Sequence, residues 1–312
     1  MISEKIVVGA GSEWALDGLI TLPDDASAEN PVPAIVLVQG SGTSNMDEKI
    51  KNIRPFKDIA EGLAPLGVGS IRYDKRSYTY GRKMLRAHRK DLTVDVEAVQ
   101  DAVLALRLLQ ADPRVDSSRI YLAGHSLGGV LAPRIDEAAA GDFAGLIIMA
   151  GSARKLETIM QDQMDEYMQN AKGLQKWIGN MQVKSMGAKL SGIYDLTDEE
   201  AQNTKFAGGT TLYYLKDMGS WPTEEYLKTT DKPIFIFQGE GDLQVSVEKD
   251  YKLYQEMLAG RPNVTFKLYS GLSHAFIPTT NTDITKVMQE FKAGGQVEPV
   301  VIEGIADWIK SQ

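Results

Sequence analysis

An α/β fold on a mostly parallel sheet, in one domain spanning residues 1–312, is the architecture this sequence predicts. Three observations predict it. Strand-length apolar runs alternate with amphipathic helical stretches, which is the pattern of a parallel sheet with helices on both faces. The first two runs are joined by turn signals with no helix between them, as in an antiparallel hairpin at a sheet edge. The segment Gly124-His125-Ser126-Leu127-Gly128 follows the apolar run Ile120-Tyr121-Leu122-Ala123 directly and leads into a helical pattern.

Strands are expected near 4–9, 15–22, 34–39, 68–73, 119–123, 145–150, 233–238 and 264–269, which makes eight. Helices are expected near 55–66, 91–110, 129–139, 246–259 and 297–311. The second is the clearest, because Val94, Ala98, Val99, Val103, Leu106 and Leu109 recur at helical spacing. The run Asp112 to Arg119 reads as a turn-rich loop before the fifth strand. Pro133 is placed near the first turn of the following helix, where a missing N–H costs little. The basic run Arg82 to Lys90 reads as a solvated face or loop. The segment of about 152–230 breaks the alternation and is too long for an ordinary connection, so it is expected to be an insertion with its own helices. Ile159, Met160, Met164, Tyr167 and Met168, then Trp177, Ile178, Met181 and Met186, give it a methionine-rich apolar face. Two readings are open for it, a lid over the sheet edge or a packed satellite of the core.

A net charge of −8 argues against nucleic acid or an anionic membrane surface as partner and suits neutral or apolar substrates. The absence of cysteine excludes disulfides, zinc–thiolate sites and a cysteine nucleophile. Apolar stretches such as Ala34 to Val38 and Leu146 to Met149 are strand-length and too short to span a bilayer. Met1 to Lys5 lacks a basic stretch followed by an apolar one, and the expectation is a cytoplasmic protein.

Ser126 is the candidate nucleophile. A strand-to-helix turn of this composition holds a serine in a strained conformation with its hydroxyl at the carboxyl edge of the sheet. A serine there could instead be a simple helix cap. A serine hydroxyl needs a base, in practice usually histidine, and the chain has three. His125 adjoins Ser126 and should point elsewhere, and His88 lies in the basic run. That leaves His274, in the loop directly after the last strand. A carboxylate should orient it, and Asp242, in the loop Gln238-Gly239-Glu240-Gly241-Asp242 after the seventh strand, is preferred. Glu240 is a rival, and Asp74 a more distant one. Backbone N–H groups should meet the developing oxyanion: that of Leu127, and that of Ser41 or else Gly40 in Gln39-Gly40-Ser41-Gly42.

Taken together, the Gln39-Gly40-Ser41-Gly42 loop, the Arg72-Tyr73-Asp74-Lys75-Arg76 turn, the serine turn, Gly239-x-x-Asp242 and His274 resemble the α/β-hydrolase superfamily over nearly the whole chain. Within it, the resemblance is to bacterial esterases related to dienelactone hydrolases and prolyl-oligopeptidase-type domains. Gln39 stands where histidine often does in that family, which bears on substrate preference and not on reaction class. The resemblance implies a serine carboxylesterase for small to medium neutral esters, with a helical cap and with no metal or organic cofactor. A peptidase or aminoacyl hydrolase, a thioesterase, and a non-catalytic binding protein on the same fold are the alternatives. Trp177, Tyr213, Tyr214 and Trp221 are candidate pocket aromatics and equally candidate core residues.

Overall fold

The computed structural model describes residues 1–170, 187, 189–190 and 192–312. Eight strands form one sheet: β1 (Ile2–Val8), β2 (Leu16–Leu22), β3 (Val32–Val38), β4 (Gly69–Tyr73), β5 (Val115–His125), β6 (Gly145–Met149), β7 (Ile234–Gly239) and β8 (Val264–Tyr269). The helices are α1 (Pro55–Leu63), α2 (Arg76–Ala87), α3 (Gln100–Ala111), α4 (Leu127–Ala138), α5 (Leu156–Asn170) and α6 (Asp198–Asn203). They continue with α7 (Leu212–Ser220), α8 (Thr223–Thr229), α9 (Lys252–Met257), α10 (Val287–Ala293) and α11 (Pro299–Ser311).

The strand order is β1-β2-β4-β3-β5-β6-β7-β8. β2 is antiparallel to β1 and to β4, while the pairings from β4 through β3 and β5 to β8 are parallel. Strands buried on both faces read as unbroken apolar runs, and all seven residues of β3 are buried. Alternate side chains then feed two cores. Ile35, Leu37, Tyr121, Ala123, Ile147, Met149, Phe235 and Phe237 pack with Phe56, Ile59 and Leu63 of α1 and with Val301, Ile305 and Trp308 of α11. Val36, Val38, Leu122, Leu146, Ile148 and Ile236 pack on the other side with Leu106 and Leu109 of α3 and Leu131 and Ile135 of α4. No helix among the described residues is long and apolar enough to cross a membrane.

All eight expected strands form, and five departures concern their connections. The turn before β5 is confined to residues 112–114, because Val115 pairs with Val32 and draws the rest of the expected loop into the strand. Residues 91–93 are not helical, and a wide π turn over Asp95–Val99 leads into α3. Helix α4 begins at Leu127, so Pro133 lies inside it rather than in its first turn. The basic run belongs largely to α2, which buries only Arg76, Ser77 and Met84 and so carries little apolar period to read. The seven-residue α10 was not expected either, and it buries only Val287 and Phe291.

The carboxyl end of β5 turns into α4 within two residues, and side-chain size limits that turn. A Cβ on Gly124 would lie 2.1 Å from the Gly128 carbonyl oxygen, and one on Gly128 would lie 2.2 Å from the Val38 carbonyl oxygen of β3. Both neighbours are backbone, which cannot move aside as a side chain could. Gly128→Ala should therefore cost about 3 kcal/mol of stability or prevent folding. Gly81→Ala, with open space around it inside α2, should instead be neutral or stabilising by about 0.5–1 kcal/mol. Urea unfolding of the two variants beside the wild type measures both, and equal midpoints for the two would show that the close approach is not limiting.

Candidate active site

Ser126 occupies the turn between β5 and α4 at φ 53° and ψ −116°, a left-handed backbone that non-glycine residues seldom adopt. Its N–H donates to the Met149 carbonyl of β6 at 2.8 Å, and its carbonyl accepts from Gly129 and Val130. The strained backbone is thus held from both sides. The hydroxyl makes no hydrogen bond to the amino end of α4, so Ser126 is not acting as a side-chain cap.

Two loops over the same sheet edge bring His274 and Asp242 together. The His274 Nδ1–H donates to Asp242 Oδ2 at 2.7 Å, in an environment where both residues are buried. The other carboxylate oxygen accepts from the N–H groups of Gln244 at 2.8 Å and Val245 at 3.0 Å, and the Gln238 amide donates to Oδ2 at 3.3 Å. Asp242 is therefore fixed by backbone donors in the orientation that meets the imidazole. Glu240 points elsewhere and accepts from the Ser270 hydroxyl at 2.5 Å. Asp74 accepts the Met46 N–H at 2.7 Å, and burial raises its pKa despite that bond. His88 lies just beyond α2, 3.7 Å from the Asp91 carboxylate, away from the other two histidines.

The loop after β3 is fastened to the loop after β4. Gln39 donates to the Tyr73 carbonyl, Lys75 Nζ donates to the Gly40 carbonyl at 2.9 Å, and the Lys75 N–H reaches the Ser44 carbonyl at 3.0 Å. Arg72 adds an ion pair to Asp47 at 3.0 Å. The Gly40 N–H is committed to Glu48 Oε1 at 2.7 Å, which removes Gly40 as a donor to a substrate oxygen. Gly40 does approach closely: a Cβ there would lie 3.1 Å from Ser126 Cβ. Ser41 follows it in an exposed bend, and Leu127 opens α4, where an N–H has no partner within the helix.

His125 turns away from Ser126 and into the protein. Its Nδ1 lies 2.8 Å from Glu48 Oε2, and its Nε2 lies 3.0 Å from the His274 carbonyl oxygen. Burial opposes charge on this ring, but the adjacent Glu48 carboxylate outweighs it and raises the pKa. Glu48 is not singled out by the sequence, and Lys75 enters there only as a member of the Arg72-to-Arg76 turn. The one available signal was the charged run Asp74-Lys75-Arg76 directly after a buried strand.

The aromatic candidates disperse. The Tyr214 hydroxyl donates to Glu97 Oε2 at 2.5 Å, and Glu97 also pairs with Lys75 at 3.3 Å, so Tyr214 braces the Gly40 loop from behind and is not a pocket wall. Tyr213 is half-buried against the core. Trp221 donates its Nε1–H to Glu137 and shares a groove with Trp14, Arg134 and Ala138. That groove lies at the far end of α4 from Ser126, roughly 16 Å along the helix axis. Trp177 lies outside the described residues, as do Ile178, Met181 and Met186.

A parallel sheet with an antiparallel edge hairpin, a strained serine between strand and helix, and a buried His–Asp pair on following loops define the α/β-hydrolase class. The profile of the family described as serine aminopeptidase, S33, matches residues 49–280, and the chain belongs to that family. Esterase EstD of Thermotoga maritima is 34% identical over 294 residues, covering 94% of this chain and 65% of the relative. An uncharacterized peptidase of Bacillus subtilis, YtmA, is 23% identical over 193 residues, 62% of each chain. The chain thus spans less than two thirds of the length of either curated relative. Among solved structures, Est1E from Butyrivibrio proteoclasticus shares the fold with a TM-score of 0.58 at 16% identity, covering 97% of this chain and 99% of its own.

The Lys75–Glu97 pair gives a pH-dependent prediction. Burial raises the Glu97 pKa, but Lys75 and the Tyr214 hydroxyl outweigh it, and the pKa lies below its ordinary value of 4.5. A depressed carboxylate contributes stability above its unfolded pKa and loses it as pH falls through the folded one. Glu97→Gln should cost about 3 kcal/mol at pH 7, because it leaves the buried Lys75 ammonium uncompensated. The deficit should shrink as pH falls below 4.5. Denaturant midpoints at pH 7 and pH 4 test this, and a deficit independent of pH would show that the charge pair is not its source.

Proposed function

We propose that the protein is a serine carboxylesterase that cleaves small to medium neutral esters through an acyl-enzyme on Ser126. The observation that carries this reading is the strained, uncapped Ser126 at the end of β5, together with a buried His274–Asp242 pair at 2.7 Å on the loops after β8 and β7. The esterase named among the relatives supports it independently. Ser126 Oγ attacks the ester carbonyl carbon and passes its proton to His274 Nε2. Asp242 holds the Nδ1–H tautomer and stabilises the imidazolium that forms. The N–H groups of Leu127 and Ser41 receive the developing oxyanion, with Leu127 at the positive end of a 12-residue helix. His274 then protonates the leaving alcohol, and water, deprotonated by the same ring, releases the acid and restores Ser126. The Ser126–His274 hydrogen bond closes when substrate is seated, as such bonds commonly tighten only in the loaded enzyme.

We assign a cap role to the segment between β6 and β7. Met160, Met164, Tyr167 and Met168 of α5 line a cleft of about 560 Å³ with Ile284, Val287 and Met288. Gln244 and Val287 line both that cleft and a small recess against His274. Methionine walls adapt to apolar groups of different shape, which suits an acyl or alkyl chain.

Aminopeptidase activity is the second reading, favoured by the description of the family and by the peptidase relative. Hydrolysis of p-nitrophenyl esters from acetate to decanoate should exceed that of aminoacyl p-nitroanilides and should vanish in Ser126→Ala. Asp242→Asn should lower kcat by about 10⁴-fold, because an amide there favours the wrong tautomer of His274. Anilide turnover above ester turnover would reverse the order of the two readings. Equal ester rates for wild type and Ser126→Ala would remove the serine mechanism.

A further inference from the structure

Among the buried polar pairs that the acyl-transfer scheme does not use is that of Glu48 and His125. Both ring nitrogens of His125 face atoms that accept: Glu48 Oε2 at 2.8 Å and the His274 carbonyl oxygen at 3.0 Å. A neutral imidazole carries one N–H and can serve only one of them, whereas a carbonyl oxygen never donates and an ionised carboxylate cannot. Either His125 is an imidazolium beside a carboxylate, or Glu48 is a protonated acid beside a neutral ring. The other Glu48 oxygen favours the first arrangement. It accepts the Gly40 N–H at 2.7 Å, and a hydrogen bond of that kind favours the ionised carboxylate.

We propose that Glu48 and His125 form a buried carboxylate–imidazolium pair that positions the oxyanion loop and the general base relative to each other across Ser126. This rests on the esterase reading. The connection runs from the Gly40 N–H through Glu48 to His125, and from the far side of that ring to the backbone of His274. Ser41 and His274 are the next residue and the terminal residue of this path, and neither is held at this edge by a strand. Glu48 reaches its position from a left-handed backbone at φ 49°, with its N–H on the Asn45 carbonyl at 2.9 Å.

The groups facing His125 are few. Glu48 comes from the loop after β3, and Asp242, on the loop after β7, also favours the cation. The His274 ring lies 4.7 Å away, centroid to centroid, on the loop after β8. Phe56 of α1 at 6.5 Å and Phe276 at 5.8 Å complete the walls. Burial works against the charge, and Glu48 raises the pKa of the ring in spite of it.

The whole protein labelled with ¹⁵N-histidine tests the charge state, with His125→Gln assigning the signal among three histidines. The wild type should show one ring that carries protons on both nitrogens at pH 7. Glu48→Gln should convert that ring to a neutral one. Its amide can still accept from Gly40 and donate to Nδ1, so the hydrogen bonds survive without the charge. For ester turnover, His125→Ala should lower kcat by about 100-fold with KM little changed, the pattern of lost positioning rather than lost binding. Glu48→Gln should lower kcat by about 10-fold in the same way. A His125 ring with a single N–H in the wild type would overturn the pair. A twofold or smaller change in kcat for folded His125→Ala would overturn the positioning role. A wild type with no ester activity would count against the esterase reading, and the positioning role would fall with it, while the nitrogen spectrum would still decide the charge of the pair.

Discussion

Backbone pressed on backbone at the end of β5 is the constraint on which the rest of this edge depends. Gly128 abuts the Val38 carbonyl and Gly124 abuts Gly128 itself. The first turn of α4 is thereby seated against the last residue of β3, and Ser126 has no freedom to relax from its left-handed backbone. The same contact brings the Gly40 loop beside the serine. Everything else at the edge is arranged around a turn whose position is set by the absence of side chains.

Charge does the remaining positioning, and most of it is buried. Lys75 and Glu97, Arg76 and Asp101, and Glu48 and His125 are all largely removed from solvent. Isolated pairs of this kind gain little stability, because desolvation consumes most of the attraction. Their value here is directional. Each of Lys75 and Glu48 spends a second bond on the backbone of Gly40, one on its carbonyl and the other on its N–H. The two bonds hold the successive peptide units on either side of the Gly40 Cα, and the second of those units carries the Ser41 N–H.

The sheet was legible in the sequence because parallel strands buried on both faces leave unbroken apolar runs such as Ala34 to Val38 and Pro233 to Phe237. The serine turn was legible because glycine spacing reports backbone proximity directly. Helix α2 was not, since a helix that buries three residues leaves no stripe to detect. Glu48 was not, because a lone acid in a polar loop looks the same whether it faces solvent or the interior. Two of the aromatic candidates show a related limit on what a sequence tells. Ring size carries no direction, and the half-buried Tyr214 and Trp221 bond to Glu97 and Glu137.

Tyr214 belongs to the long connection between β6 and β7, yet its hydroxyl ends on Glu97, one ion pair away from the peptide beside Ser41. That connection is consequently no detachable module. Exchanging it for the corresponding stretch of a relative, or trimming it to a short linker, would strip a donor from a buried carboxylate and slacken the loop opposite the serine. A graft that keeps the sheet intact would still have to bring a hydroxyl to Glu97.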